Sequence, residues 1–78
     1  MNWHTILEDI HHTLKAHGFH ELSQELFDAQ LEGGTGGEIF SIVLDKLIQI
    51  KKQRPDIYLL IREEIDWMIA YARKINYL

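Results

Sequence analysis

Five histidines, His4, His11, His12, His17 and His20, fall within the first twenty residues of this 78-residue chain. His4, Glu8 and His12 recur at i, i+4 and i+8 of a helix, so adjacent pairs of that set could each chelate a divalent ion. A complete site needs further ligands from another element and a second layer of groups that orients the imidazoles. The sequence identifies neither. The plainer expectation is a set of histidines on a solvent-facing helix surface, with no bound metal or other cofactor and with a charge that changes near neutral pH.

Covalent chemistry finds equally little support. Ser23 and Ser41 have no base and acid at a recognisable spacing, and there is neither a His-Glu-x-x-His element nor a paired-carboxylate signature. The absence of cysteine removes thiol nucleophiles, disulfides and thiolate zinc sites together. A non-enzymatic protein is expected.

Residues Gly33 to Glu38 read Gly-Gly-Thr-Gly-Gly-Glu and hold four of the five glycines. A glycine-rich loop entering a helix can cradle phosphate, because backbone N–H groups and the helix dipole converge on an anion. A P-loop, however, follows a strand and continues into Lys-Ser/Thr. This loop follows a helical segment and continues into Glu38-Ile39, whose carboxylate competes for the same amides. Thr35 and Glu38 instead match a capping box, in which each side chain bonds the other's backbone N–H, and losing such a cap costs about 1 kcal/mol. The six residues Gly33, Gly34, Thr35, Gly36, Gly37 and Glu38 are therefore read as a capped joint and hinge. Gly36 and Gly37 fall in the first helical turn, where glycine costs about 1 kcal/mol relative to alanine. Close backbone approach, unusual dihedrals or mobility would account for keeping them.

The elements that position these groups follow from apolar periodicity. Every long segment repeats with a helical period and none alternates as a strand does. Trp3, Ile6, Leu7, Ile10 and Leu14 predict a first helix over roughly Asn2–His17, ended by Gly18 in the left-handed conformation. A second helix, about His20–Leu31, turns Leu22, Leu26 and Ala29 inward, with Phe19 as an anchor near its start. The third, about Gly37–Gln53, is apolar over more than half its circumference and is expected to be central. Arg54-Pro55-Asp56 breaks the pattern. A fourth helix over roughly Asp56–Ile75, about 30 Å long, closes the chain at Asn76. Its main apolar face is Ile57, Ile61, Ile65, Met68, Ile69 and Ala72, and Leu60, Trp67 and Tyr71 form a second stripe. The expected fold is all-α: a single domain over residues 1–78, built as a compact four-helix bundle of two hairpins joined by the glycine-rich loop.

With 46% hydrophobic and 26% charged residues, the composition is that of a soluble globular protein. The start, Met-Asn-Trp-His with Glu8 and Asp9 close behind, has neither a basic leader nor an apolar run, and no stretch approaches the roughly 20 apolar residues of a bilayer span. A cytoplasmic location is the expectation. Charge is uneven: through Glu38 there are seven acidic residues against Lys15 alone, a net of −6, whereas the remainder carries seven basic and five acidic residues, a net of +2. An acidic protein of this kind repels nucleic acid, and the cluster Lys46, Lys51, Lys52 and Arg54 reads as cations complementing a helix end.

Two surfaces could recognise a partner. Glu21, Glu25, Asp28 and Glu32 recur at i, i+4, i+7 and i+11, an acidic stripe along one side of the second helix that is either a plain solvated face or a surface for docking against a basic protein. Leu60, Trp67 and Tyr71 are either core or, if exposed, anchors of a second interface or homodimer.

The stretch Gly34-Thr35-Gly36-Gly37-Glu38-Ile39-Phe40, with the apolar helix, turn and closing helix that follow, resembles a type of small bacterial protein with a Gly-x-Thr-Gly-x-Glu-Ile element. Some of these are similar to immunity proteins encoded beside contact-dependent or polymorphic toxins. The resemblance covers the second half of the chain. It implies toxin neutralisation by protein binding. Joined to the charge reading of the first half, the expected partner is a basic toxin domain such as a nuclease, met through Glu21, Glu25, Asp28 and Glu32. The other classes left open by the residues are a metal- or small-ligand-responsive regulator using His4, Glu8 and His12 or the loop amides, and a homodimeric structural protein.

Overall fold

The computed structural model describes residues 2–78, which form five helices and, among the described residues, no strand: α1 (Trp3–Ala16), α2 (His20–Glu32), α3 (Gly36–Gln53), α4 (Pro55–Leu60) and α5 (Arg62–Lys74). The radius of gyration is 11.6 Å, matching the roughly 11.5 Å expected of a close-packed chain of this length. α3 is the central element. It packs on α2, α4 and α5, while α1 packs on α2 and α5. No helix among the described residues is long and apolar enough to cross a membrane.

Local chemistry sets the helix ends. Asn2 caps α1 by accepting a hydrogen bond from the Thr5 N–H at 3.0 Å. Gly18, at φ +83°, closes α1 in a Schellman motif: Phe19 N–H donates to Leu14 O and Gly18 N–H donates to Lys15 O. The motif folds Phe19 back onto the core and sets the start of α2. The same device recurs at the other end. Asn76, at φ +65°, closes α5, with Tyr77 N–H donating to Ala72 O and Asn76 N–H to Arg73 O, so Tyr77 folds back onto Phe40.

The core is the union of the apolar faces expected from periodicity. Ile6, Leu7, Ile10 and Leu14 of α1 meet Leu26 of α2, Phe40, Val43, Leu44, Leu47 and Ile50 of α3, and Ile57, Ile61, Ile65, Met68, Ile69 and Ala72 of the closing segment, all buried. Each fully buried aliphatic side chain contributes about 1.5–3 kcal/mol relative to exposure, and a chain without disulfides depends on that sum.

The closing segment corrects the expectation of one long fourth helix. It breaks at Ile61 (φ −125°, ψ 26°), where no glycine or proline stands. The Ile61 side chain is completely buried, its N–H donates to Tyr58 O three residues back, and its carbonyl accepts from Ile65 N–H to start α5. The bend lets α4 lie on α3 after the Pro55 turn while α5 packs against both α1 and α3. Packing overrides local propensity at this residue.

Candidate functional site

α2 has two surfaces that contribute nothing to the core. Glu21, Glu25, Asp28 and Glu32 are all exposed, as the spacing predicts. Among the described residues none of the four lies within salt-bridge distance of a lysine, arginine or histidine; the two ion pairs are Lys51–Asp66 and Arg54–Asp56. Among the described residues Asp28 accepts only from the neutral Gln24 amide, at 3.0 Å. The arrangement works against the helix that carries it. Like charges at i, i+4 (Glu21 with Glu25, Asp28 with Glu32) are destabilising by a few tenths of a kcal/mol each. Glu32 also occupies the negative end of the helix dipole, and no basic residue stands in that last turn.

Beside this row lies a feature that periodicity did not assign. Phe27 and Leu31 are 49% and 68% exposed. At about 100° per residue, they sit roughly 100° and 140° from Leu26, the centre of the buried face, and Asp28 follows at about 200°. That angular position was the signal in the sequence: both residues lie outside the arc of Leu22, Leu26 and Ala29. Phe27 lines a surface groove of about 680 Å³ between α1 and α2, together with Glu8, His12, Lys15 and Gln24.

The floor of that groove holds a polar lock. His11 Nδ1 lies 2.8 Å from Ser23 Oγ, and His11 Nε2 lies 2.9 Å from Gln30 Oε1. With the Gln30 oxygen facing the ring, Nε2–H donates to it and the Ser23 hydroxyl donates to Nδ1. Ser23 thus does have an imidazole beside it, a contact its sequence spacing did not reveal. The residue is only 2% exposed, however, which makes the contact a tie between α1 and α2. His11 continues the Leu7–Leu14 ladder and Ser23 and Gln30 flank Leu26, so polar residues at core-edge positions on facing helices were the available clue. No buried side-chain nitrogen or oxygen among the described residues lacks a hydrogen-bond partner.

The remaining histidines expected to face solvent do so: His4, His12, His17 and His20 are exposed. His4 stacks on Trp3 at 3.7 Å. Glu8 and His12 border the groove, but among the described residues no group of three His, Cys, Asp or Glu side chains converges to hold a metal ion.

In the loop, Thr35 Oγ1 accepts from Glu38 N–H at 3.2 Å, as the capping pattern predicts. The return bond differs. Glu38 Oε2 accepts from Gly34 N–H at 3.1 Å, one residue before the cap rather than at Thr35. Glu38 thus occupies a loop amide that an anion would need. Gly33 has a steric reason, since a Cβ there would lie 2.7 Å from the Ile39 backbone nitrogen; one on Gly37 would lie 2.6 Å from the Tyr77 hydroxyl, the far end of a side chain that can move aside. Gly34 meets only ordinary contact, and nothing in the structure explains Gly36.

The second proposed stripe is divided. Trp67 and Tyr71 are stacked at 5.2 Å and half-buried against the core, with Tyr71 edge-on to Phe40 at 5.6 Å. Leu60, 38% exposed, sits across the Ile61 break on α4. The polar contacts of this half are internal. Tyr58 Oη–H donates to Asp66 Oδ1 at 2.6 Å and Lys51 Nζ lies 3.4 Å from the same oxygen. The Tyr58 hydrogen bond, aided by Lys51, holds Asp66 below the usual carboxylate range; the same bond to the Asp66 carboxylate pushes Tyr58 above the usual phenol value, with Lys51 working against the rise. The Arg54 fork, donating to both Asp56 oxygens, lowers Asp56 likewise. The Tyr58–Asp66 bond spans eight residues, about 12 Å along a straight helix; the break at Ile61 brings the two groups together. No described protein family, curated protein or solved structure matches this chain.

Proposed function

We propose that this chain is a non-enzymatic protein-binding module, two helical hairpins folded together, whose α2 face docks on a basic protein. More specifically, it acts as a cytoplasmic bacterial immunity protein that neutralises a basic toxin domain, a nuclease being the type whose phosphate-binding groove such a face would cover. The observation that carries the reading is the row Glu21, Glu25, Asp28 and Glu32: exposed, mutually repulsive, and without a cation partner among the described residues. A local arrangement that weakens its own helix is expected where a surface serves recognition. Long-range attraction from such a row raises association rates with a cationic partner by about 10- to 1,000-fold. The Gly-x-Thr-Gly-x-Glu-Ile resemblance supports the immunity assignment, and the capped loop joins α2 to the central α3 on which it packs.

The test is co-expression with, and titration against, the protein encoded immediately upstream in the native host. Tight binding that weakens steeply with added salt and is lost in Glu25→Lys/Asp28→Lys supports the reading. Equal affinity for the reversed chain contradicts it.

A further inference from the structure

We propose that Phe27 and Leu31 are the apolar anchors of this same interface, taking a nonpolar side chain of the basic partner at the mouth of the α1–α2 groove. The inference rests on the reading that the α2 row meets a basic protein. Phe27 and Leu31 stand at i, i+4, one above the other on the helix, at 49% and 68% exposure. Their stripe runs beside the acidic row, with Leu31 about 60° from Asp28 around the axis. A partner lying along α2 therefore meets an apolar line and an anionic line at once, and Phe27 opens onto a groove of about 680 Å³. Anchors of this kind, a few large side chains within a polar surround, dominate the energetics of most interfaces.

Charge complementarity fixes the occupant. A second copy of the chain, at a formal net charge of −4, would bring a second acidic row to a two-fold contact on this face, because a two-fold contact uses the same patch from both copies. An anionic lipid surface is repelled for the same reason, and helices that lie on membranes carry Lys and Arg on the polar face. A protein surface that alternates Lys or Arg with Leu-like side chains satisfies both lines.

Two synthetic helical peptides of equal positive charge serve as probes, one with leucines at i, i+4 among lysines and one with glutamine replacing each leucine. At low ionic strength the wild-type chain is expected to bind the leucine peptide at least tenfold tighter than the glutamine peptide. Phe27→Ser/Leu31→Ser should erase that preference while leaving the glutamine-peptide affinity unchanged, because both positions are exposed and the variant keeps its helicity. Glu25→Lys/Asp28→Lys should weaken both peptides. Equal binding of the two peptides by wild type, a preference retained by the Ser/Ser variant, or no binding of either peptide overturns the proposal. So does a concentration-dependent doubling of mass in sedimentation that Phe27→Ser/Leu31→Ser abolishes. Charge reversal without effect on either peptide contradicts the acidic-face reading itself, a separate outcome.

Discussion

The carboxylates Asp56 and Asp66 on α4 and α5 are answered inside the chain, by Arg54 and by Lys51 with Tyr58, whereas Glu21, Glu25, Asp28 and Glu32 on α2 meet no cation among the described residues. Both sets are exposed, so exposure does not distinguish them; pairing does. The contacts of the first set span the Pro55 turn and the Ile61 bend. The second repels itself, sits partly against the helix dipole, and borders two exposed apolar side chains. What sets the α2 row apart is its like-charge spacing at i, i+4, which costs the helix that carries it.

The sharpest way to break this comparison is to reverse charge on each side. Glu25→Lys/Asp28→Lys is expected to lower affinity for a basic partner about 100-fold at low salt and to leave the melting temperature equal or slightly higher, since like-charge pairs are relieved. Asp56→Asn/Asp66→Asn should leave that affinity unchanged. Calorimetric titration and thermal denaturation of both variants read the two halves of the prediction.

Next in size is the joint that holds the regions together. Gly33→Ala places a Cβ against the backbone of Ile39, which cannot rotate away, and should destabilise by about 1–3 kcal/mol in urea unfolding. Gly36→Ala meets nothing within 4 Å and should stabilise by up to about 1 kcal/mol. Equal effects from the two would remove the steric account of the loop.

The polar lock behind the α2 face comes third. Ser23→Ala leaves His11 Nδ1 without its partner and should cost about 1–2 kcal/mol, with hydrogen exchange faster in both α1 and α2. Cost confined to α2 would show that the tie between the helices carries no energy.

The smallest effect concerns pH and belongs to the other region. Asp66 is depressed in the folded chain, so its contribution is present above the ordinary carboxylate value and is lost as pH falls through the lowered one. Tyr58 is raised, so its contribution is whole below the ordinary phenol value and is lost as pH rises through the raised one. The stability difference between wild type and Tyr58→Phe should therefore be flat across neutral pH and shrink at both extremes.

Much of this was legible in the sequence, for identifiable reasons. Helix faces follow a period of 3.6, so Leu7, Leu14, Leu47 and Ile65 announce the core; Gly18 and Asn76 announce helix ends through the left-handed backbone each tolerates; and the acidic row is a direct reading of i, i+4 spacing. The break at Ile61 was not legible, because it is imposed by what α4 and α5 pack against rather than by any breaker residue. His11 with Ser23 and Gln30 is a contact across 12 and 19 positions, which only the packing of α1 on α2 creates. Phe27 and Leu31 are spelled like core residues of a helix, and only their angle to Leu26 separates them from the buried face.

The central claim is that α2 is the recognition surface. Hydrogen–deuterium exchange on the complex captured from the native host, with Glu25→Lys/Asp28→Lys as the capture control, tests it most directly. The account predicts slowed exchange across His20–Glu32 on binding, no change across Arg62–Lys74, and no capture by the reversed chain. Protection confined to α4 and α5, or equal capture by both chains, would contradict it.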